Sequence, residues 1–187
     1  LSMVASGYRP KFVNPIPQLL VTEAIHEFEK KFENMTDKNT HVELNVCNLG
    51  IKTGFAMASQ ICRRDTTEIE SLDDICKFLA GRFTQSLFNV SATKSLSTQK
   101  VLNINFSDKL PSWFNSIITP GSQQQSPESI FWFRSYAYFL LGVYQGALLH
   151  FGYKATPALD KQPPILSLLF RLEALEGSWE FMSSTKY

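Results

Sequence analysis

The chain has 187 residues, of which 44% are hydrophobic and 19% are charged. This composition excludes a disordered chain and predicts one compact domain, which at this length needs neither a metal ion nor a disulfide to fold. The 18 Lys and Arg residues balance the 17 Asp and Glu residues, so no basic field indicates a nucleic acid as partner. The unusual feature is the aromatic content, which includes 15 Phe residues and requires an explanation.

The cysteines and the apolar runs predict a cytoplasmic protein. The three cysteines are Cys47, Cys62 and Cys76. Their odd number and the absence of a CxxC motif do not indicate a disulfide framework, which is typical of proteins in a reducing compartment. Residues 1–5 carry no basic or long apolar run, so we expect no signal peptide. The most apolar run, residues 135–149, contains Gln145 and is shorter than the roughly 20 residues of a membrane span. We therefore expect a core helix there and, at most, peripheral membrane contact.

The spacing of the apolar residues predicts four helices. Their ranges are about 16–32, 42–63, 69–88 and 129–151. The fourth is apolar almost all round, which predicts a central position. Thr66 or Thr67 is the expected N-cap of the third helix. Residues 1–17 contain three prolines and predict an extended arm that precedes a single domain over residues 18–187.

Three strands are predicted in the second half of the chain. Residues 101–106 alternate between apolar and Asn side chains, and two further strands are expected at about 155–159 and 165–172. Residues 91–98 and 108–127 are predicted as polar loops. Three helices, a strand, a helix and two strands predict an α+β fold in which a helical layer packs on a small antiparallel sheet.

Small residues recur at every fourth position in two of the helices. Gly50, Gly54 and Ala58 lie in the second helix, and Gly142 and Gly146 lie in the fourth. Each glycine inside a helix costs up to about 1 kcal/mol relative to alanine, and close packing of another backbone would offset that cost. The alternative interpretation ends the second helix at Gly50, which would then be a C-cap.

No residue pattern indicates catalysis or metal binding. The three histidines, His26, His41 and His150, are not spaced as metal ligands. No sequence motif for a catalytic nucleophile, a zinc site or dinucleotide binding is present. GIKTG at residues 50–54 lacks the strand that precedes a phosphate-binding loop. Asp73 and Asp74 lie near a helix start, where negative charge stabilises the helix without any catalytic role. The sequence therefore predicts no enzyme, no cofactor and no metal.

Two surface features have open interpretations. The adjacent arginines Arg63 and Arg64 are typical of a solvated helix C-terminus, where cations are favourable. The alternative is that they contact a phospholipid or an acidic partner. The aromatic residues crowd the start of the fourth helix and the loop before it: they are Trp113, Phe114, Phe131, Trp132, Phe133, Tyr136, Tyr138 and Phe139. These side chains form either a thick core or, for the outward-facing subset, a partner interface.

Three segments resemble a known family in its own order. NLGIKTG, residues 48–54, is similar to the opening of the second helix in Bet-three-type subunits of the transport protein particle, TRAPP. DICKFLAGRFTQSLF, residues 74–88, resembles that family's next helix, and LGVYQGALLHFGY, residues 141–153, resembles its last glycine helix. The similarity extends over about residues 18–172 and departs from the family at Gln145, where an arginine is common.

The resemblance implies an α/β-plait with four main helices on a small twisted antiparallel sheet. It implies a non-enzymatic scaffold subunit of a vesicle-tethering complex in ER-to-Golgi or Golgi transport, whose assembly is a guanine nucleotide exchange factor for a Rab GTPase. The implied partners are other plait-type and longin-type TRAPP subunits, at the cytoplasmic face of Golgi or ER membranes. The alternative is a small-molecule or lipid-binding domain of the same fold, because helices on a sheet can enclose an apolar pocket.

The resemblance also implies where subunits meet. Helices one and three typically form the contact in this family, and here Phe28 and Phe32, and Phe83 and Leu87, are spaced four apart on one helix face. These side chains are either interface anchors or simply core residues. One branch of the family carries an acylated cysteine after the second helix. Cys62 falls too early for that position, so acylation is not transferred to it.

Overall fold

The structure is a computed structural model, and it describes residues 16–64, 69–106, 110–114, 117, 126–161 and 166–175. Residues 1–15 of the predicted arm, most of the predicted loop over 108–127 and residues 176–187 lie outside these residues, whereas residues 16–17, which were predicted to end the arm, begin the first helix. The helices are α1 (Ile16–Lys31), α2 (Lys38–Arg64), α3 (Leu72–Phe78), α4 (Thr84–Phe88) and α5 (Pro127–His150). A π-helical turn (Leu79–Phe83) joins α3 to α4, and a short 3-10 helix covers Ser112–Phe114.

Four strands form one antiparallel sheet. They are β1 (Thr93–Leu96), β2 (Val101–Asn105), β3 (Tyr153–Lys161) and β4 (Ser167–Ala174), in the order β1-β2-β4-β3. Leu102 of β2 pairs with Phe170 of β4, which in turn pairs with Pro157 of β3. The side chains of Leu102 and Phe170 are fully buried beneath the helices. The predicted α+β class, with helices on a small antiparallel sheet, is confirmed.

Strand β1 corrects the prediction of a loop over residues 91–98. It is short and polar, so its alternation is weak, but Lys94 and Leu96 are half-buried while Thr93 and Ser95 are exposed. Lys94 forms an ion pair with Asp73 of α3. The inward-facing side of this edge strand therefore contains a lysine in place of an apolar residue. A search for alternating apolar residues does not detect such a strand.

The start of the third helix also differs from the prediction. The N-cap is Ser71, whose hydroxyl accepts a hydrogen bond from the backbone N–H of Asp74 at 3.1 Å. The expected caps Thr66 and Thr67 lie outside the described residues. The Ser71 hydroxyl also donates to the Asp74 carboxylate at 2.5 Å, so this side chain satisfies both the helix end and its first turn.

The π-helical turn shifts the phase of the third helix. Thr84 donates its hydroxyl to the carbonyl oxygen of Leu79, five residues earlier, and accepts the hydroxyl of Tyr144 from α5. Burial raises the pKa of Tyr144 well above its usual range, so the phenol stays protonated as a donor. The extra residue in the turn places Phe83 against Tyr144, with ring centroids 5.8 Å apart. After the turn, the buried positions are Thr84 and Phe88.

Helix α5 occupies the centre of the fold. It packs against α2 on one side and against β3 on another, and side chains from all around its axis are buried. Ser126 caps its start by accepting from the backbone N–H of Ser129 at 3.0 Å. Gly152, at φ 82°, turns the chain into β3 as a glycine after a helix typically does. Among the helices of the described residues, none is long and apolar enough to cross a membrane.

Candidate interaction surfaces

The four predicted packing glycines lie together where α2 meets α5. A Cβ atom added to Gly54 would lie 2.6 Å from the carbonyl carbon of Val143, and one added to Gly50 would lie 2.9 Å from the Val143 nitrogen. Added Cβ atoms on Gly142 and Gly146 would meet the backbone of α2 in the same way. The two helices therefore touch backbone to backbone, which explains why glycine occupies these positions. GIKTG is thus part of a helix contact, not a loop.

Polar side chains connect α5 to both α2 and β3. Glu43 is buried and accepts two hydrogen bonds from Arg134, at 2.6 Å from Nε and 3.0 Å from Nη2. These bonds raise the pKa of the Arg134 guanidinium. Gln145 donates its amide to the carbonyl oxygen of Ala155 at 2.8 Å, which ties α5 to β3. Gln145 thus has a structural contact at the position where the resembled family commonly has arginine.

The structure separates the four predicted interface residues. Phe83 is fully buried and packs on Phe78 and Tyr144, so its prediction as a partner contact is wrong: it is a core residue. Phe28, Phe32 and Leu87 are half-buried at the margin of the core and remain predicted interface residues. The Phe32 ring stacks on the His41 ring of α2 at 5.3 Å, and the ammonium of Lys31 lies 5.3 Å from its centroid.

Other apolar side chains are more exposed than these. Leu19 and Leu20 of α1 are 62% and 66% exposed. On α2, Leu44 and Phe55 are 57% and 44% exposed. They share one flank of α2 beside the glycine contact, since they lie 11 residues, or three turns, apart. Sequence reasoning missed this flank, although its helical spacing was visible.

Most of the aromatic cluster belongs to the core. Five of its members are buried: Trp113, Phe114, Phe133, Tyr136 and Phe139. Phe131, Trp132 and Tyr138 remain partly exposed. Phe131 and Trp132 line a cleft of 380 Å³, here called the aromatic–acidic cleft, together with residues from α1 and the starts of α2 and α5: His26, Glu29, Asn39 and Glu128. The core interpretation therefore holds for most of the cluster, and an outward-facing subset remains.

A second cleft, of 560 Å³, lies between the end of α2 and the start of α4. Its lining combines two arginines with apolar and uncharged polar side chains: Met57, Gln60, Ile61, Arg64, Arg82 and Ser86. Arg63 and Arg64 end α2, as expected for cations at a helix C-terminus. Arg82 also interacts with another part of the chain. Burial and the charge of Arg63 lower the pKa of the nearby His150.

The paired carboxylates and the cysteine thiols have structural explanations for their pKa values. Hydrogen bonds from Lys77 and Lys94 lower the pKa of Asp73, and a hydrogen bond from Ser71 lowers that of Asp74. Both carboxylates are therefore ionised and do not form an acid–base pair. Burial raises the pKa of each cysteine thiol, to about 11 for Cys76. Within the described ranges, no cluster of three or more His, Cys, Asp or Glu residues could hold a metal ion.

Comparison with known proteins identifies the family. The model of the transport protein particle (TRAPP) component family matches residues 18–168. The chain belongs to the TRAPP component family. Among solved structures, it is similar to a trafficking protein particle complex subunit 3 from Naegleria fowleri, covalently bound to palmitic acid. The TM-score is 0.64 at 16% identity, over 87% of this chain and 99% of that one. No curated protein sequence is significantly similar to the chain.

The two findings agree with the segments of the chain that resembled TRAPP subunits. The matched range contains α2 to α5 and all of α1 except its first two residues. At this identity the structural likeness shows the fold alone, which is that of a TRAPP subunit. The glycine contact between α2 and α5 lies wholly within the range that the family shares.

Proposed function

We propose that this TRAPP component is a non-enzymatic scaffold subunit of a vesicle-tethering complex that acts in ER-to-Golgi or Golgi transport. The observation that carries the proposal is the family match over residues 18–168. The described side chains fit a scaffold, because the carboxylate pair is bound in ion pairs and the thiols are held protonated. In this proposal the assembled complex, rather than this chain alone, accelerates nucleotide exchange on a Rab GTPase at the cytoplasmic face of the membrane.

The proposed partner contacts lie at the margin of the helical layer. Phe28, Phe32 and Leu87 contact the core with one side and keep the other side accessible, as anchors at a subunit interface would. Leu19 and Leu20, also on α1, are exposed apolar side chains as well. The partners are plait-type and longin-type subunits of the same complex. A free chain with this surface is expected to associate, because burial of exposed leucines is favourable.

Reconstitution tests the proposal. The purified chain is mixed with recombinant plait-type and longin-type TRAPP subunits from the same organism, and the mass of the product is measured by gel filtration with light scattering. Release of a fluorescent nucleotide from the Rab is then compared for complexes with and without this chain. We expect a stoichiometric complex and faster release when the chain is present. A chain that stays monomeric with every subunit, and leaves exchange unchanged, would refute the scaffold function.

A second function has one observation in its favour. The structurally similar subunit from Naegleria fowleri carries covalently bound palmitic acid, so a plait of this type can hold a lipid. In this chain Cys47 and Cys76 are buried, and Cys62 is the half-buried cysteine. Native mass spectrometry of the chain purified from its own cells decides between the functions. A stoichiometric lipid would favour the lipid-binding domain, and its retention under denaturing conditions would tell a covalent from a non-covalent ligand.

A further inference from the structure

The aromatic–acidic cleft has a recognition surface that the scaffold function does not use. Its lining includes Trp132, whose ring contacts three neighbouring rings. The centroid distances are 4.9 Å to His26, 5.8 Å to Phe131 and 6.0 Å to Tyr136. Tyr136 is itself fixed, because its hydroxyl lies 2.5 Å from that of Thr22. The half-exposed indole is therefore a rigid aromatic anchor, and little freedom is lost when a ligand binds to it.

The charge of the aromatic–acidic cleft selects a cation. The carboxylates of Glu29 and Glu128 line it, and its lining among the described residues includes neither Lys nor Arg. Just outside, the Lys38 ammonium lies 2.9 Å from Oε1 of Glu29, while His26 Nδ1 lies 3.8 Å from Oε2. Glu29 thus already holds one ammonium at the rim. Glu128 is exposed in the first turn of α5 and faces the same space.

We propose that the aromatic–acidic cleft binds an arginine side chain carried by a segment of a partner protein. A guanidinium group is planar and weakly hydrated, so it stacks on the faces of aromatic rings. Its five N–H donors suit the acceptors that line the cleft, which are the carboxylates of Glu128 and Glu29 and the side-chain oxygen of Asn39. This inference rests on the proposed function only in that the partner is taken to be another subunit of the complex.

Peptide binding, followed by NMR, tests the site directly. The indole N–H signal of Trp132 in the ¹⁵N-labelled chain is assigned with Trp132→Phe. It is then titrated with the capped peptide Gly-Leu-Arg-Leu-Gly and with the same peptide containing uncharged citrulline. We expect the arginine peptide to bind at least about tenfold more tightly, which corresponds to about 1.4 kcal/mol. Affinity should fall with added salt, because exposed charges are screened.

Two matched variants test whether the arginine peptide binds in the aromatic–acidic cleft. Glu128→Gln should weaken binding of the arginine peptide about two- to fivefold, as the loss of one exposed ion pair does. Glu27→Gln is the control, since Glu27 is an exposed carboxylate on the same helix as Glu29 and does not line the cleft. The proposal is wrong if both peptides bind equally, if Glu27→Gln weakens binding as much as Glu128→Gln does, or if phosphocholine binds more tightly than the arginine peptide.

The reconstitution assay separates this inference from the proposed function. If the chain assembles with the other subunits but its Trp132 signal ignores the arginine peptide, the inference is wrong and the scaffold function stands. If the peptide binds as expected but no subunit assembles with the chain, the arginine site stands and the scaffold function is refuted. Slower assembly of Glu128→Gln than of Glu27→Gln would support both.

Discussion

Substitution of Gly54 by alanine tests the contact between α2 and α5 with the smallest possible change. The added Cβ would lie 2.6 Å from the carbonyl carbon of Val143, whereas ordinary contact begins at 3.4 Å. The obstacle is backbone and cannot rotate away, and the carbonyl oxygen of Val143 lies closer still, so the helices must separate by at least about 0.8 Å. Overpacking of this kind costs about 1–3 kcal/mol, and the higher helix propensity of alanine returns up to about 1 kcal/mol.

We therefore expect Gly54→Ala to lose about 1–2 kcal/mol, which lowers Tm by roughly 2–8 °C in a chain of this size. Gly54→Leu should lose considerably more. Gly81→Ala is the matched control, because Gly81 is also a glycine inside a helix, but its added Cβ would meet no atom of a neighbouring element within 4 Å. That variant should gain up to about 1 kcal/mol. Thermal unfolding followed by circular dichroism measures both, and a Gly54→Ala protein as stable as Gly81→Ala would refute the backbone contact.

Three further predictions concern polar contacts. Thr84→Val leaves the buried hydroxyl of Tyr144 without its partner and should cost about 1–3 kcal/mol in urea unfolding; adding Tyr144→Phe should recover part of the loss. Arg134→Met leaves the buried Glu43 carboxylate uncompensated and should lower Tm, whereas Glu43→Gln in the same chain should restore part of it. The pKa of Asp73 is lowered from 3.8 by Lys77 and Lys94, so its ion pairs stabilise the fold above that pH and are lost as the pH falls through the lower folded-state value. The Tm difference between wild type and Asp73→Asn should therefore vanish in acid, and a difference that persists there would contradict the ion pairs.

The sequence predicted the helices because the helical repeat of apolar residues continues over many residues in each of them. Helices α1, α2 and α5 lie within a few residues of the predicted ranges. The third helix shows the limit of that method. A strict period puts Leu87 on the buried stripe, but the π-helical turn inserts one residue, so Thr84 and Phe88 are buried and Leu87 is only half-buried. The turn depends on a hydroxyl pair between residues 84 and 144, which no local pattern reveals.

The interaction surfaces were less predictable, for a related reason. The aromatic surplus was visible in the sequence, but which rings face outward depends on how α5 is covered by α1 and the 3-10 helix. Phe83 had the same spacing and residue type as an interface anchor, and its burial follows from its contact with Tyr144, 61 residues further along the chain. The aromatic–acidic cleft draws on three separate helices, so no single segment of the sequence displays it.

The strand order has a consequence for how the protein is made. Strand β4 is the last strand described, yet it lies between β2 and β3 and supplies hydrogen bonds to both. Until residues 167–174 have left the ribosome, β2 and β3 have no neighbour at the centre of the sheet, and the apolar underside of α5 has only part of its cover. A nascent chain therefore exposes one edge of β2 from the synthesis of residue 105 until residues 167–174 are complete. Chaperones that bind such edges should be needed until the last strand is in place.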